Sequence, residues 1–277
     1  MALSSGYFAA VAALSPTVFY KMNDTTGTAG VDSMGTINGT YVEVSAPGYT
    51  LNQTSIIPGE PDEPCVQLQS TNDSGTGGRL GVSDVPSFGH SPAANEFTAL
   101  MTYQPTTGFA AASRDIMGKL DEWQLWVGTN GKLTMYVNPA WVNFTGTTTL
   151  VAGTPYHIVI RQGGGTMQMF INGASDGSKA KSNNLLPPPL ELRWGGGSSP
   201  GTGRFSVGYF QGAAYWPGSY LSDANITALQ ALWATVPEEP PPEPEPDPPA
   251  GLGRATRDPK SGLWVPKTPY FTRRWRG

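Results

Sequence analysis

The feature that most constrains the fold is a repeated pattern of short segments in which apolar and polar residues alternate. The alternation is clearest over residues 133–137, 156–161 and 167–171, where every second residue is apolar. A period of two places successive side chains on opposite faces of a β-strand, so these segments predict half-buried antiparallel strands. Weaker versions of the pattern occur at residues 18–22, 66–68, 97–103, 123–127 and 205–209. Seven or eight strands are therefore expected.

Turn-forming residues separate the alternating segments. Asn-Gly pairs begin at Asn38, Asn130 and Asn172, and three consecutive glycines occupy positions 163–165. Asn-Gly accepts positive φ at both central positions of a two-residue turn, which makes it a strong hairpin signal. With 35 Gly and 26 Pro and only 14% charged residues, the composition excludes a helical bundle or a coiled coil. The sequence predicts an all-β protein.

Several other classes are excluded by what the chain lacks. A single cysteine, Cys65, cannot form an internal disulfide or a zinc site of the cysteine type. No apolar run reaches the roughly 18 residues of a membrane-spanning helix. The apolar stretch from Phe8 to Leu14 has no basic residue before it, as a signal peptide would. We therefore expect no signal peptide, no transmembrane segment and no membrane insertion.

One short helix is predicted near position 222–233. Ser222 can cap its start, and Pro237 limits its continuation. An apolar stripe at helical spacing is formed by Ile226, Leu229, Leu232 and Trp233. We expect this helix to pack against the edge of the β-structure.

Charge divides the chain into three parts. Residues 1–236 carry 15 acidic and 10 basic residues, a mildly acidic body whose length fits one domain. Residues 237–250 contain eight prolines and five acids, which predicts an extended polyproline II spacer of up to ~40 Å. Residues 251–277 carry seven Lys or Arg against one Asp, interleaved with aromatic residues. We interpret these parts as a folded body, a stiff spacer and a basic aromatic tail.

The tail combines aromatic rings with arginines. Its candidate anchoring residues are Trp264, Tyr270, Phe271, Arg273, Arg274, Trp275 and Arg276. They could bind nucleic acid through phosphate contacts and base stacking. Because they follow an acidic spacer, the same residues are also typical of a docking peptide whose aromatic and arginine side chains insert into a partner protein. We favour docking on a protein over binding to nucleic acid.

Segments along the body resemble one known family. They are residues 13–23, 26–29, 31–33 and 38–41 at the start, 155–160 and 167–173 in the middle, and 209–215 and 221–229 at the end. Together they resemble the LamG-like jelly-roll family, relatives of the concanavalin A lectins and the laminarinase-like glucanases. The resemblance spans residues 13–233. It implies an all-β, antiparallel jelly-roll β-sandwich of the concanavalin A type with one short C-terminal helix, followed by the extended Pro-rich segment and the tail.

The sequence departs from the family at positions that bear on calcium. Asn23 stands where the family's opening turn usually has Glu, and the closing strand lacks the customary Asp-Glu after its glycine. Ca²⁺ requires about six to eight oxygen ligands. Asp24 and Asp32 are therefore interpreted as turn caps, and no metal or cofactor is assigned.

Catalytic residues are not predicted. A retaining glucanase needs two carboxylates about 5–5.5 Å apart. The acids at 60–63 lie among prolines, and Asp121 and Glu122 are adjacent, so on a strand they would face opposite ways. His90 and His157 stand in no recognised catalytic motif and are interpreted as structural. The sequence indicates a protein that is not an enzyme.

Three tryptophans are candidates for ligand binding. Trp141, Trp194 and Trp216 lie in segments rich in Gly, Pro or Asn, which predicts exposed positions on loops. Exposed aromatic rings can stack on sugar rings. The alternative is that they cap the ends of the sandwich or contact neighbouring proteins.

The domain order also resembles that of tail-associated virion proteins of phages infecting actinobacteria. It predicts a non-enzymatic minor tail protein, assembled in the host cytoplasm and located in the virion in multiple copies. The LamG-like domain would serve host attachment by binding surface glycans, and the C-terminal tail would contact other virion proteins. The alternatives are a capsid or tail decoration protein without sugar binding, a cellular carbohydrate-binding adhesin, and a glycan hydrolase, degraded or active.

Overall fold

A computed structural model describes residues 6–35, 37–44, 48–70, 77–83, 96–109, 112–119, 122–137, 142–181, 191–196, 204–235, 255–258, 260–262 and 264–266. The chain divides into two compact units, Met1–Pro237 and Glu238–Gly277. In chain order the elements are α1 (Tyr7–Ala13), β1 (Val18–Tyr20), β2 (Ala29–Gly30), β3 (Gly39–Glu43), β4 (Tyr49–Gln53), β5 (Cys65–Leu68), β6 (Gly78–Val82), β7 (Phe97–Pro105), β8 (Arg114–Lys119), β9 (Trp123–Val127), β10 (Lys132–Val137), β11 (Val142–Thr149), β12 (Tyr156–Gly163), β13 (Thr166–Ile171), β14 (Ala174–Ala180), β15 (Leu192–Trp194), β16 (Gly208–Pro217), α2 (Asp223–Ala234), β17 (Ala255–Arg257) and β18 (Trp264–Pro266).

The described strands of the first unit form two eight-stranded antiparallel sheets. The first sheet has the strand order β14-β13-β12-β7-β16-β5-β4, with β1 paired to β16. The second sheet has the order β11-β10-β9-β8-β15-β6-β3-β2. The long strand β16 lies centrally in the first sheet, where it pairs with β7, β5 and β1. This confirms the predicted antiparallel β-sandwich.

The main core lies between the two sheets. Alternation in β9 and β10 turns Trp123, Leu125, Val127, Leu133 and Met135 inward, and all five are fully buried. Burial of apolar surface stabilises the fold by roughly 25 cal/mol per Å². The period-two pattern of the sequence thus sets which face of each strand enters this core.

A second apolar cluster covers the outer face of the first sheet. Leu100 of β7 and Val159 of β12 pack there against Val11 of α1 and Leu229 of α2. The predicted position of the C-terminal helix at the sandwich edge is therefore wrong, because its apolar stripe packs on the face of the sheet. The helix α1 was not predicted. Its N-cap, Gly6, has no capping side chain, and a seven-residue helix depends on tertiary packing rather than on local signals.

The helix α2 begins as the sequence predicts. The Ser222 hydroxyl accepts a hydrogen bond from the Asn225 backbone N–H at 3.2 Å, and the Asn225 side chain accepts one from the Ser222 N–H. This reciprocal capping satisfies backbone donors at the start of the helix. Neither of the two helices in the described part of the chain has both the length and the apolar character needed to cross a membrane.

The second unit contains one antiparallel pair, β17 with β18, in which Thr256 is opposite Val265. The backbone of Trp264 begins β18. The spacer 237–250 lies outside the described residues. So do the predicted anchoring residues Tyr270, Phe271, Arg273, Arg274, Trp275 and Arg276.

Candidate functional site

The structure buries Trp194, one of the three tryptophans predicted to bind ligand. Trp194 lies in β15 with 0% of its surface exposed, and its ring meets that of Tyr20 edge-on at a centroid distance of 5.4 Å. The strand ends at Trp194, and Gly195 and Gly196 follow it with φ of +95° and +153°. The predicted loop position is wrong, and the ring face is not open to a sugar.

Trp216 is buried on the other side of the first sheet. It lies in β16 with 2% of its surface exposed, and its indole N–H donates to the Leu14 carbonyl at 2.9 Å. A bulge shifts the register between Gln211 and Ala214 of β16, and Gly212 within it has a φ of +65°. The bulge turns Trp216 into the cluster beneath the helices, so its predicted exposure on a loop is also wrong. Trp141 lies outside the described residues.

A half-open cleft lies on the outer face of the first sheet. Its volume is about 260 Å³, and it is lined by Gln53, Thr54, Ser55, Ile56, Gln104 and Tyr209. The described residues of the lining supply amides, hydroxyls, one aliphatic side chain and one aromatic ring, and none of these residues is charged. Amides and hydroxyls beside an aromatic ring can hydrogen-bond to a ligand and stack on it. We refer to these six residues as the cleft.

Strand pairing places the aromatic ring and an amide of the cleft side by side. Tyr209 of β16 is directly opposite Gln104 of β7, and on its other side it is opposite Gln67 of β5. Residues directly opposite one another in antiparallel strands share a face of the sheet. A Cβ atom at Gly208 would lie 2.5 Å from the Gln104 carbonyl oxygen and 2.7 Å from the Tyr103 ring, so glycine allows this close approach.

One wall of the cleft is held by a buried glutamine. The Gln211 side-chain oxygen accepts hydrogen bonds from the Ile56 N–H at 2.9 Å and the Ser55 hydroxyl at 3.1 Å. Its amide nitrogen donates to the carbonyls of Glu63 at 2.8 Å and Pro64 at 3.2 Å. Gln211 is fully buried, and these bonds fix the segment 54–56 over the sheet. The wall is therefore preorganised.

The acids considered for catalysis have structural partners. Glu60 accepts a hydrogen bond from the Phe8 N–H at 2.9 Å, and Glu63 accepts one from Lys21 at 3.1 Å. Burial raises the pKa of the Glu63 carboxyl, but hydrogen bonds from Asn23 and Lys21 outweigh it and the net pKa is lowered. The buried Glu122 carboxylate lies 2.8 Å from the Lys119 ammonium. Asp121 lies outside the described residues.

Asp32 has the turn-capping role predicted from the sequence. Its carboxylate accepts hydrogen bonds from the backbone N–H groups of Phe19, Met34 and Ile37 at 2.9–3.0 Å. Asp24 accepts a hydrogen bond from the Val31 N–H at 3.3 Å and one from the Tyr41 hydroxyl at 2.9 Å. Among the described residues, His, Cys, Asp and Glu side chains form no group of three or more that could hold a metal ion.

Two further groups with potential chemistry are buried. Burial lowers the pKa of His157 to about 3 and raises the pKa of the Cys65 thiol to about 12. At neutral pH the Cys65 thiol is thus protonated and not activated as a nucleophile, and the uncharged His157 imidazole is fully buried, out of contact with solvent. His90, the other histidine, lies outside the described residues.

Sequence reasoning missed two aromatic residues that reach a surface of the sandwich. Tyr209 is half-buried in the cleft, and Trp126 is half-buried on the outer face of the second sheet, opposite Thr134. Trp123, Leu125 and Val127 face the core, so the period-two pattern already indicated that Trp126 points the other way. No local signal marks Gln104 as a neighbour of Tyr209, because only the pairing of β7 with β16 joins them.

Comparison with known proteins agrees with this architecture. A family model described as the concanavalin A-like lectin/glucanases superfamily matches residues 75–227. No curated protein matches the sequence as a relative.

Solved structures with the same fold include binding domains of a neurotoxin. The binding domain of botulinum neurotoxin DC in complex with rat synaptotagmin II has a TM-score of 0.57 and 12% identity, over 80% of this chain and 55% of that one. The same domain in complex with SialylT has a TM-score of 0.56 and 12% identity, over 80% and 54%. A Trypanosoma rangeli sialidase has a TM-score of 0.52 and 14% identity, over 77% and 32%. The chain thus spans about half or less of the length of these structures, and the similarity is one of fold.

Proposed function

The chain belongs to the concanavalin A-like lectin/glucanase superfamily, and from that premise we propose that its sandwich is a non-catalytic glycan-binding module displayed on a phage particle. The cleft carries the glycan-binding part of the proposal. It offers amides and hydroxyls beside an aromatic ring on an outer face of the sandwich, which is the combination that sugars require. None of the described residues that line it carries a carboxylate, whereas glycoside hydrolysis requires a pair of them.

The order of segments in the chain supports the virion part of the proposal. The acidic Pro-rich spacer 237–250 separates the sandwich from the basic aromatic tail 251–277, so a tail docked on another virion protein would leave the sandwich displayed. The tail residues proposed as anchors, from Trp264 to Arg276, combine the side-chain types that dominate binding energies at protein interfaces. Many copies on one particle would convert weak sugar affinities into firm attachment.

Glycan binding is tested with the full-length protein on a panel of immobilised glycans, including arabinogalactan and β-glucans. We expect retention of the protein on at least one of them, without release of new reducing ends. New reducing ends would show a hydrolase instead. If the protein is retained on none of these glycans, glycan binding is contradicted and the alternative of a decoration protein without sugar binding is favoured.

The anchoring role is tested by co-sedimentation with assembled particles that lack their own copy of the protein. Full-length protein should co-sediment with the particles, whereas a variant ending at Val236 should not. As a folding control, the thermal unfolding of this variant should match that of the first unit in the full chain. If the truncated variant still co-sediments, the sandwich itself is the structural element. If neither associates, a cellular adhesin becomes the better interpretation.

A further inference from the structure

The two central side chains of the cleft have polar groups that the fold does not use. Tyr209 and Gln104 are half-buried neighbours across β16 and β7. Within the described part of the chain, neither the Tyr209 hydroxyl nor the Gln104 amide has a hydrogen-bond partner or a charged neighbour. Other glutamines of this face are engaged, since Gln53 donates to the Leu51 carbonyl at 2.9 Å and Gln211 is fully bonded. Because both side chains are only half-buried, these free groups are available to a ligand that enters the cleft.

The unused groups match one kind of ligand. A pyranose ring has an apolar face of C–H groups that packs on an aromatic ring, and a rim of hydroxyls that both donate and accept. Tyr209 supplies the ring and a hydroxyl, and Gln104 supplies one carbonyl oxygen and two N–H donors. Gln67, on the other side of Tyr209, accepts from Gln69 at 3.3 Å and keeps its own amide donors.

The described polar groups of the cleft are uncharged, and this affects which sugars the cleft can bind. Among the described residues that line the cleft, none is an arginine, lysine or histidine that could pair with a carboxylate. Transferring a charged group out of water into a site without a counter-charge is costly, whereas a neutral hydroxyl needs only ordinary hydrogen bonds. The cleft thus disfavours sialic and uronic acids relative to neutral hexoses.

Size and rigidity limit what binds. A volume of about 260 Å³ lies below the roughly 300–1,000 Å³ of sites that enclose drug-sized ligands, so one sugar ring fills it. The wall at Ser55 and Ile56 is already fixed by Gln211, so little ordering is needed when a ligand enters.

We propose that the cleft binds one neutral hexose residue, stacked on Tyr209 and hydrogen-bonded by Gln104. This inference rests on the proposed function, because it names the sugar class and the site through which the module would bind glycans. We expect a single small site of this kind to bind its sugar in the millimolar range.

The test uses the full-length protein and methyl glycosides of glucose, galactose and mannose, with glucuronic acid and N-acetylneuraminic acid as charged comparators. Binding is measured by ligand-observed NMR titration. We expect at least one neutral glycoside to bind and to be preferred over both acids by about tenfold or more. Tyr209→Ala should lower its affinity at least about tenfold, Gln104→Leu several-fold, and Tyr209→Phe, which keeps the ring, less than about threefold.

Trp126→Ala is the matched control, because it removes a half-buried aromatic ring from the opposite sheet. It should leave the affinity unchanged, and the thermal unfolding midpoint of Tyr209→Phe should show that the fold is intact. If Tyr209→Ala still binds glycans and Trp126→Ala does not, the cleft is not the binding site. The proposed glycan-binding function would still hold in that case. A preference for the acids would overturn the charge argument. Failure to bind any of these sugars or any immobilised glycan would overturn both proposals.

Discussion

The side-chain oxygen of Gln211 accepts a 2.9 Å hydrogen bond from the backbone N–H of Ile56, 155 residues away in the sequence. Gln211→Leu keeps the approximate volume but leaves the buried Ile56 N–H and the Glu63 carbonyl without this partner. An unsatisfied buried polar group costs about 1–3 kcal/mol, so we expect a loss of roughly 2–4 kcal/mol in the free energy of unfolding. Urea unfolding followed by tryptophan fluorescence measures it.

Gln69→Leu is the control for this prediction. The Gln69 amide bonds to the exposed Thr50 hydroxyl at 3.0 Å, and water can replace that bond. We expect a change within about 0.5 kcal/mol. Equal losses in the two variants would contradict the view that Gln211 stabilises the wall through buried bonds.

The strands and two of the hairpins follow from local chemistry. Asn172 and Gly173 have φ of +50° and +74°, and Gly131 has +75°, as expected for Asn-Gly turns. These signals are local because a tight turn and a period of two involve only adjacent residues. The Asn38-Gly39 pair differs, since Gly39 begins β3 and Asn38 accepts a hydrogen bond from the Asp32 N–H at 3.1 Å.

The cleft could not be predicted in the same way. Its geometry depends on the pairing of β16 with β7, on the close approach at Gly208 and on the bulge at Gly212. Strand order and bulges are set by tertiary packing, which one sequence does not encode as a local pattern. The same bulge turns Trp216 toward the helices, whereas its Gly- and Pro-rich surroundings predict a loop. Residues with strong local context were predicted, and residues joined only by long-range pairing were not.

His157 makes stability depend on pH. Its ring is fully buried, 5.6 Å from that of Tyr7 and 6.0 Å from that of Trp233, and burial lowers its pKa from 6.5 to about 3. Below about pH 6.5 the unfolded chain binds a proton that the folded protein excludes. Stability from this group is therefore complete above pH 6.5 and is lost as the pH falls toward 3, by up to about 1.4 kcal/mol per pH unit.

Comparing the protein with the variant His157→Phe isolates this effect, because the carboxylates contribute equally to the pH dependence of unfolding in the two proteins. The free energy of unfolding is measured in urea at pH 7.5, 6.0 and 5.0. We expect the difference between the two proteins to shift in favour of the variant as the pH falls. Parallel profiles would show that His157 takes up its proton without unfolding.

Cys65 is expected to resist modification in the folded protein. Its thiol is fully buried, donates to the Thr54 carbonyl at 2.9 Å, and has a pKa raised to about 12 by burial. Since the thiolate is the reactive form, a disulfide reagent at pH 8 should react at least about 100-fold more slowly with the native protein than with the urea-unfolded chain. As Cys65 is the one cysteine, Cys65→Ala provides the blank. Comparable rates in both states would show that the segment beside the cleft opens readily.

Arg161 joins the helix α2 to the first sheet. The guanidinium lies 4.7 Å from the ring centre of Phe170 and 4.1 Å from that of Tyr220, and it donates to the Leu221 carbonyl and the Asp223 carboxylate. Arg161→Lys keeps the charge but loses the planar group that stacks between the rings. We expect a loss of roughly 2–3 kcal/mol in the free energy of unfolding.

The ion pair itself should contribute little, because the Asp223 side chain is 79% exposed whereas that of Arg161 is 3% exposed. Asp223→Asn should therefore cost less than about 1 kcal/mol, and a double-mutant cycle should give a coupling of similar size. Urea unfolding of the two single variants and the double variant provides all three values. If Asp223→Asn costs as much as Arg161→Lys, charge pairing rather than stacking holds the helix to the sheet.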